Sequence, residues 1–386
     1  MAPEFDELTI LLTLKDRAAF TYRWMEYAES VHMPFKVLIA DGGTDDGVER
    51  ALSGRTAYPH VSYEYLRCPP DRTYRDFYAK VEQALARIQT PLVAMADNDD
   101  FFVVEGLREA AAFLTGHVEY VTCGGRSAAF WIDAADAADA VYGPSSWKTT
   151  SDEVSTAEAT ARDRLRNPVL WGHAVYYHVR RTAMLRAQFQ MLRDWNVENL
   201  FLHELLIGFL TAIAGRSRVL DRPYIARQWN APGSSARTHL QAHGDWVGCM
   251  LHPAWSAEFG LFLTATATAL ADHDGIPVDE ARRFVMDCYR REMAPSILGD
   301  VLKEQTVTVP MTVVVGIVRR LLALPPENSV RRLARTLYRG LRSIPVDFVR
   351  GTELWSRRIP HATADVAPIH DFLRRRPSPG TPGTRP

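Results

Sequence analysis

Short apolar runs alternate with helical patterns along the first third of this chain, and this alternation restricts its fold more than any other feature. The runs are rich in strand-forming residues and read LTILLTL (8–14), FKVLIA (35–40), VSYEYL (61–66), LVAMA (92–96) and YVTCG (120–124). Strands separated by helices pair in parallel through crossover helices, and strands covered on both faces are apolar along their whole length. The sequence therefore predicts an α/β fold with an open, mostly parallel, Rossmann-like sheet.

The pattern weakens in the middle of the chain. Residues 126–170 are rich in Ala, Ser and Thr, which favours a flexible or acceptor-facing segment over a core element. VLWGHAVYYHVRR (169–181) is β-like, and SRVLDRPYIARQW (217–229) is typical of a closing strand pair.

The chain is longer than a typical single domain, and its C-terminal part differs in composition. After Pro232 and Gly233 helical patterns prevail without a recognisable motif, and the last residues are rich in proline and glycine. We therefore predict a sheet domain at 1–230, a mainly helical C-terminal region at 231–373 and a disordered tail at 374–386.

With a formal net charge of −1 over 386 residues, the chain has no general attraction for nucleic acid, so we expect no nucleic-acid partner. The N-terminus lacks the basic segment of a signal peptide, and no uncharged apolar stretch reaches the ~18 residues of a membrane-spanning helix. The four cysteines are widely spaced without a CxxC pair, as expected of free thiols in a reducing compartment. These features predict a cytoplasmic protein.

One local segment departs from this neutral balance. SVRRLARTLYRGLRSI (329–344) has the spacing of an amphipathic helix, with apolar residues on one side and five arginines largely elsewhere. Such a helix can lie on an anionic membrane surface, which would place the protein peripherally at the inner face of a membrane. Packing on the rest of the chain with solvated arginines is equally compatible. The helical region could also mediate self-association as a homo-oligomer.

Polar residues collect directly after three of the predicted strands. The three sets are TLKDR (13–17), DGGTDD (41–46) and DNDD (97–100). Because ligands of open α/β sheets bind beyond the carboxyl ends of the strands, we expect the three sets to share one rim. The sequence therefore predicts a ligand site at this edge.

The set DNDD crowds Asp97, Asp99 and Asp100 directly behind a buried strand, where their negative charges repel. A solvated turn that caps the following helix would accommodate them, since Asp and Asn favour both positions. An oxygen-rich set at this location also suits Mg²⁺ or Mn²⁺, hard cations that bridge carboxylates and substrate phosphates. We favour the metal site because a divalent ion neutralises the repulsion.

Asp41 stands at the tip of the second predicted strand and is followed by two glycines. A carboxylate there can accept hydrogen bonds from a nucleobase or ribose, while the glycines let the backbone approach the ligand. A tight strand-to-helix turn with Asp41 at a cap is the alternative. The chain has neither GxGxxG nor GxxxxGKS/T, so a dinucleotide fold and a P-loop are disfavoured.

Together these stretches resemble a known family. LTILLTLKDRAAFTYRWMEYA, FKVLIADGGTDD, YAKVEQALARIQTPLVAMADNDDF and LHELL are similar to the GT-A fold of bacterial, family 2-like glycosyltransferases over roughly residues 8–230. In that family the opening strand ends near a Thr and an Arg, a second ends in a base-binding Asp, and a D-x-D closes the nucleotide-binding half. The resemblance implies an enzyme whose catalytic domain, 1–230, binds a nucleotide sugar.

The resemblance also implies roles for individual residues. Asp41 would contact the nucleoside, with Thr13 and Arg17 beside it. Asp97 and Asp99 would form the D-x-D, with Asp99 closest to the metal.

The chain departs from the D-x-D pattern at one position. The additional Asp100 allows a register in which Asn98, Asp99 and Asp100 form the working triplet, so the choice of metal ligands stays open. Lys80, on the helix before the fourth strand, would face the diphosphate. The alternative for Lys80 is a solvated lysine on an amphipathic helix.

In similar enzymes the base that deprotonates the acceptor hydroxyl is an acid at the start of a helix beyond the sheet. FLHELLIGF offers Glu204 for that role, with His203 beside it. Inversion requires this proton transfer while the anomeric carbon is attacked from the face opposite the leaving nucleotide. A glutamate on the exposed stripe of the helix, or one bridged to an arginine, is the alternative for Glu204. For His203 we favour a packed histidine.

The combined expectation is a metal-dependent, inverting glycosyltransferase that moves a sugar from a nucleotide sugar to a hydroxyl of a glycan, a lipid-linked acceptor or a surface polysaccharide. The resemblance implies a UDP-sugar by default, although no residue excludes GDP, dTDP or CMP donors. A nucleotidyltransferase would need a glycine-rich phosphate loop, which KDRAAF does not provide. A non-catalytic carbohydrate- or nucleotide-binding protein on the same fold is the other alternative.

Overall fold

The structure is a computed structural model, and it describes residues 5–54, 56–132, 141–149, 155–167, 173–234, 238–239, 250, 252–304 and 362–374. Its strands are β1 (Phe5–Leu14), β2 (Phe35–Asp41), β3 (Tyr63–Arg67), β4 (Leu92–Asp97), β5 (Phe101–Phe102), β6 (Tyr120–Ile132), β7 (Ser145–Thr149), β8 (Val179–Arg181) and β9 (Arg216–Gln228). Its helices are α1 (Ala18–Ser30), α2 (Gly47–Leu52), α3 (Tyr74–Arg87), α4 (Val104–Gly116), α5 (Ala161–Leu165), α6 (His173–Tyr177), α7 (Thr182–Trp195), α8 (Leu200–Ala214), α9 (Pro253–Asp274), α10 (Val278–Glu304) and α11 (Ala362–Arg374).

The strands form one sheet in the order β3-β2-β1-β4-β8-β6-β9-β5, with β7 beside β6. The first four are parallel to one another, whereas β8 is antiparallel to both β4 and β6. Alternate residues of β1 enter different cores, with Ile10 and Leu12 on one face of the sheet and Leu11 on the other. The predicted α/β fold with a helical C-terminal region is therefore confirmed.

The parallel register brings the strand ends to one level. Thr13 of β1 lies opposite Asp97 of β4, and Leu14 lies opposite Asp41 of β2. Asp41 in turn lies opposite Arg67, the last residue of β3. The polar sets that follow these strands therefore meet at one rim, as predicted.

Two stretches differ from the sequence expectation. Residues 169–181 were expected to be β-like, but 173–177 form helix α6 and only 179–181 form a strand. The buried Arg180 bonds the carbonyl oxygen of Val175 through Nε at 2.9 Å, which holds the helical turn against the strand. Tertiary contacts thus outweigh the β propensity of the segment.

The second difference concerns the region after residue 125, which was expected to be a flexible or acceptor-facing segment rather than a core element. Strand β6 continues to Ile132 because β9 pairs with it in parallel, and β7 pairs in an antiparallel arrangement with residues 128–132. The expected strand pair at 217–229 is one long strand, β9, whose pairing with β6 shifts register around Arg126. The residues from 126 to 132 are therefore part of the sheet.

The helices cover both faces of the sheet. Helix α3 begins with a capping box between Thr73 and Asp76. Asn199 caps the N-terminus of α8, and its side chain accepts from two backbone amides. Helix α11 returns to the sheet and buries Ile369 and Phe372 in the same core as β1 and β5. The boundary at residue 230 between the sheet domain and the helical region stays a prediction.

Several expectations concern residues beyond those described. The basic segment 329–344 and residues 375–386 lie outside the described residues, so membrane contact and a disordered tail stay predictions. Within the described ranges, no helix has both the length and the apolarity needed to cross a bilayer.

Candidate functional site

Three carboxylates converge where β4 ends. Asp97, Asp99 and Asp100 each offer an oxygen, and these oxygens lie within 4.8 Å of one another. We call this group the acid triad. Asn98 is turned away, since its side-chain amide donates to Thr21 Oγ1 at 3.2 Å. The structure thus brings together the three acids that were predicted, while the register of metal ligands stays a prediction.

Two arginines face the acid triad. Arg17 Nη2 donates to Asp99 Oδ2 at 2.9 Å, and Arg227 Nε donates to Asp100 Oδ2 at 3.0 Å. The backbone amide of Gln228 donates to the other oxygen of Asp100 at 3.0 Å. These contacts orient the carboxylates. Three carboxylates face two guanidinium groups, so the cluster has a formal net charge of −1.

Asp97 is held from two sides. Tyr177 donates its hydroxyl to Asp97 Oδ2 at 2.6 Å, and Thr13 Oγ1 lies 3.4 Å from Asp97 Oδ1. Arg227 Nη2 also donates to the Tyr177 hydroxyl at 3.1 Å. Tyr177, at the end of helix α6, and Arg227, on strand β9, thus link Asp97 with Asp100.

Burial and mutual repulsion act on the acid triad together. Burial raises the pKa of Asp100 to about 7, with Arg227 opposing the rise and Asp99 adding to it. Burial also raises the pKa of Asp97, and the charge of Asp99 adds to it. A bound divalent cation would remove this electrostatic cost, and three carboxylate oxygens are the hard ligands that Mn²⁺ and Mg²⁺ accept. The residues present therefore fit such a metal.

A buried arginine lies beneath the triad. Arg23 is 0% exposed and donates to the carbonyl oxygen of Asp99 at 3.1 Å and to Gln228 Oε1 at 2.7 Å. It also donates to the carbonyl oxygen of Val141 at 2.8 Å. Burial lowers the pKa of Arg23 to about 10, so the side chain stays charged at neutral pH. Arg23 therefore fixes the loop that carries Asp99 to helix α1 and strand β9.

The turn after β1 has an unusual backbone. Asp16 and Arg17 have φ values of 57° and 59°, in the left-handed region that non-glycine residues rarely adopt. Asp16 Oδ1 accepts from the Thr44 amide at 2.7 Å, which ties this turn to the loop after β2. The conformation directs Arg17 at Asp99, as the contact between their side chains shows.

Asp41 lies at the end of β2 and is 2% exposed. Its Oδ1 accepts from the Gly43 amide at 2.7 Å. Its Oδ2 accepts from the Tyr65 hydroxyl at 2.6 Å and from Arg67 Nη1 at 3.2 Å. The predicted nucleoside-binding carboxylate is therefore held in one orientation by groups from β3.

Lys80 is buried beneath the same rim. It is 2% exposed, pairs with Asp71, and donates to the carbonyl oxygen of Leu14 at 2.7 Å. A Cβ on Gly42 would overlap the Asp71 carboxylate, so this position needs glycine. The alternative of a solvated lysine is wrong. The role of Lys80 toward a diphosphate stays a prediction, because its ammonium group already forms an ion pair with Asp71.

Glu204 and His203 lie in helix α8. The charges of both Glu204 and Asp97 contribute to a raised pKa of Tyr74, after burial as the main cause, and both also act on Tyr176. The ring of Tyr176 lies 6.2 Å from that of His203, the neighbour of Glu204, and 5.1 Å from that of Tyr177, whose hydroxyl donates to Asp97. The role of Glu204 as a base stays a prediction.

His203 is a packed histidine, as expected. It is 2% exposed and surrounded by aromatic rings, among them Tyr78 with ring centroids 5.1 Å apart. Neither ring nitrogen has a hydrogen-bond partner among the described residues. Burial lowers its pKa to about 3, and the charge of Arg180 adds to the effect.

Sequence reasoning missed the residues that hold the predicted ones in place. These are Arg23, Tyr65, Arg67, Asp71, Tyr177, Arg227 and Gln228. Of these, only the Arg-Gln pair at the end of an apolar strand gave a local signal, because charged residues are rare inside a sheet. The others depend on contacts between distant segments.

Four parallel strands with an acidic cluster at the end of the fourth agree with the sheet and the rim that the resemblance to the GT-A fold implies. No protein-family model matches the chain, and no curated protein matches its sequence.

Solved glycosyltransferase structures resemble the chain at low identity. S. aureus TarS matches with a TM-score of 0.42 and 15% identity over 74% of this chain, which spans about half (54%) of the TarS chain. TarS 1–349 in complex with UDP has a TM-score of 0.38 and 15% identity, covering 76% of this chain and 92% of that one. A mannosyltransferase from Pyrobaculum calidifontis in complex with GDP-Man and Mn²⁺ has a TM-score of 0.38 and 10% identity, with coverages of 91% and 88%.

Proposed function

We propose that the chain is a metal-dependent glycosyltransferase that moves a sugar from a nucleotide sugar to an acceptor hydroxyl with inversion. The observation that carries this proposal is that the acid triad and Asp41 lie on one rim of the sheet, at the ends of β4 and β2, the two strands that flank β1. A nucleotide sugar has a base at one end and a diphosphate near the other. The rim offers a carboxylate for the first and a cation site for the second.

The residues of the rim have separate tasks. Asp41 binds the nucleoside, and Thr13 and Arg17 border the space between Asp41 and the acid triad. The acid triad holds Mn²⁺ or Mg²⁺, which when bound stabilises the negative charge of the leaving diphosphate. Arg17 and Arg227 keep the carboxylates oriented and limit their repulsion.

Glu204 accepts the proton of the acceptor hydroxyl in this proposal. Its support is the position of helix α8, where Tyr74 and Tyr176 experience the charges of both Glu204 and Asp97. A base opposite the leaving group is what inversion requires. We expect Glu204→Gln to lower kcat by roughly 10²–10⁴-fold while nucleotide binding persists. Equal activity of this variant would remove Glu204 from the mechanism.

The donor site can be tested by calorimetric titration of UDP and GDP, with Mn²⁺ or with EDTA. We expect metal-dependent binding of at least one nucleotide, weakened by about tenfold or more in Asp99→Asn. Asp194→Asn is the matched control, because Asp194 has a side chain that is 57% exposed and, within the described part of the chain, forms its ion pair with its neighbour Arg193. Failure of the folded wild-type protein to bind any nucleotide diphosphate would overturn the proposed function.

A further inference from the structure

Arg23 supports two members of the acid triad. Its Nη2 donates to the carbonyl oxygen of Asp99 at 3.1 Å, and its Nη1 donates to Gln228 Oε1 at 2.7 Å. The backbone amide of Gln228 in turn donates to Asp100 Oδ1 at 3.0 Å. Because Arg23 is 0% exposed, bulk water cannot replace these bonds. One buried side chain thus fixes the backbone of Asp99 and, through Gln228, the carboxylate of Asp100.

The third acceptor of this buried guanidinium belongs to a segment that helix α11 holds in place. Nη1 also donates to the carbonyl oxygen of Val141 at 2.8 Å. Two residues further on, the Gly143 amide donates to the carbonyl oxygen of Leu373, in the last turn of α11, at 2.9 Å. Between them, the ring of Tyr142 lies 5.5 Å from that of Phe372. The position of Val141 therefore depends on α11.

Helix α11 also contacts the residue that follows the acid triad. Phe101 comes directly after Asp100, and its ring lies 5.9 Å from that of Phe372. Arg23 Cζ lies 4.9 Å from the centre of the same Phe101 ring. Arg23 and α11 therefore meet at two places, one at the segment that carries Val141 and one at Phe101.

The acid triad needs such support because its carboxylates repel one another. Before a cation binds, this repulsion drives the carboxylates apart unless the backbone that carries them is fixed. Removing the groups that orient metal ligands typically lowers the metal affinity by about 10–100-fold. A well-held triad therefore binds a cation more tightly than a loose one.

We propose that Arg23 is a positioning residue through which helix α11 controls the affinity of the acid triad for its divalent cation. This inference rests on the proposed function, because it assumes that the triad binds Mn²⁺ or Mg²⁺. It makes the cation site depend on two helices that are far apart in the sequence. Helix α1 supplies Arg23, and α11 holds the segment that provides its third acceptor.

The test is titration of the metal-free full chain with Mn²⁺, with the free ion measured by electron paramagnetic resonance. Arg23→Lys keeps the positive charge but lacks the planar fork that reaches three acceptors, so we expect its Kd for Mn²⁺ to rise about tenfold or more. Phe372→Leu keeps an apolar side chain but removes the ring contacts of α11, and we expect Kd to rise about two- to 30-fold. The second variant keeps the inference testable if Arg23→Lys does not fold.

Phe262→Leu is the matched control, because Phe262 is 0% exposed in the core on the other face of the sheet, where its ring lies 5.3 Å from that of Phe209. Its stability to urea should fall as that of Phe372→Leu does, while its Kd for Mn²⁺ stays at the wild-type value. Equal weakening of Mn²⁺ binding in Phe262→Leu would assign the effect to stability alone and overturn the inference.

The remaining outcomes separate the inference from the proposed function. A raised Kd in only one of folded Arg23→Lys and Phe372→Leu would overturn the coupling between Arg23 and α11. An unchanged Kd in both would overturn the inference and leave the proposed function intact. Absence of Mn²⁺ binding by the folded wild-type protein, with or without UDP or GDP, would overturn both.

Discussion

Buried charges around the candidate site are each balanced by a specific partner. Arg23 bonds backbone carbonyl oxygens and Gln228, Lys80 pairs with Asp71, and Asp100 accepts from Arg227. Removing one member of a buried pair typically costs about 3–5 kcal/mol, because the other charge is left without a partner. Variants at these positions therefore report on folding as well as on binding.

Acid sensitivity should follow from His203. Its pKa is lowered to about 3 in the folded chain, whereas the unfolded chain takes up a proton near pH ~6.5. The unfolded state thus binds more protons between these values, so the contribution of His203 to stability is complete above pH ~6.5 and falls as the pH decreases. The expected loss is about 1.4 kcal/mol per pH unit for this group.

Urea denaturation of wild type and His203→Phe between about pH 7 and pH 4.5 measures this effect. The variant should lose less stability on acidification, although His178, with a pKa also lowered to about 3 by burial, keeps part of the dependence. His117→Gln, at an exposed position, should behave like wild type. Parallel pH profiles for wild type and His203→Phe would contradict the expectation.

The site residues that stand at the end of a strand were predictable from the sequence, whereas the residues that hydrogen-bond to them were not. Asp41 and Asp97 follow continuous apolar runs, so their place at the sheet rim follows from strand direction alone. Tyr177 reaches the acid triad from the end of helix α6, and Arg227 reaches it from strand β9. No local pattern encodes such a long-range contact.

At the scale of elements, helix α4 allows a paired comparison of two glycines. A Cβ on Gly106 would overlap the carbonyl oxygen of Pro223 and stand 2.9 Å from Tyr224 Cα, both backbone atoms of β9. Gly116, in the last turn of the same helix, has no atom within 4 Å of such a Cβ among the described residues. We expect Gly106→Ala to lower the free energy of unfolding by about 1–3 kcal/mol and Gly116→Ala to raise it by up to about 1 kcal/mol.

Thermal and urea unfolding of the two alanine variants measure this difference. Both variants replace glycine with alanine in the same helix, so the gain in helix propensity is nearly the same for both. Equal stability of both variants would show that α4 can move away from β9 without cost.

Helix α11 should contribute substantially to the core. Phe372 is 6% exposed and its ring lies 5.5 Å from Tyr27 and 5.9 Å from Phe101, which directly follows Asp100. We expect Phe372→Ala to destabilise the protein by about 3–5 kcal/mol, measured by urea denaturation. Asp371→Ala, whose side chain is 64% exposed, is the control. A loss below about 1 kcal/mol for Phe372→Ala would mean that α11 is not required for the sheet core.

Element prediction succeeded for strands with helices on both sides and failed where pairing is irregular. The parallel strands are apolar because both faces are covered. Strand β6 contains small residues and adjacent glycines, and Gly124 and Gly125 have the His178 ring and the Arg222 carbonyl oxygen against them. The two glycines interrupt the apolar pattern, so only the first part of β6, residues 120–124, was predicted as a strand.

For the whole molecule, ligand binding should stabilise the fold. A ligand that binds only the folded chain adds about 2.7 kcal/mol at 100 times its Kd. We expect Mn²⁺ together with a bound nucleotide to raise Tm by several degrees, and EDTA to reverse the shift. Scanning calorimetry of wild type and Asp99→Asn provides the measurement. If the nucleotide raised Tm equally in EDTA, nucleotide binding would not depend on a metal held by the acid triad.

The distant return of α11 to the sheet was not predictable from the sequence. Its contacts join Phe372 with Tyr27 and Phe101, and composition alone suggested only a helical region. The sheet itself followed from local alternation, whereas this packing depends on the three-dimensional arrangement. Helix α11 thus connects the C-terminal part of the chain to the strand behind the acid triad.

The left-handed turn at Asp16 and Arg17 has a consequence for protein redesign. Two consecutive non-glycine residues with positive φ cost about 1–2 kcal/mol each, and glycine would remove that cost. A redesign guided by thermostability alone would therefore choose glycine at both positions and delete the guanidinium that faces Asp99. Sequence libraries aimed at a more stable protein should keep Asp16 and Arg17 unchanged and vary other positions.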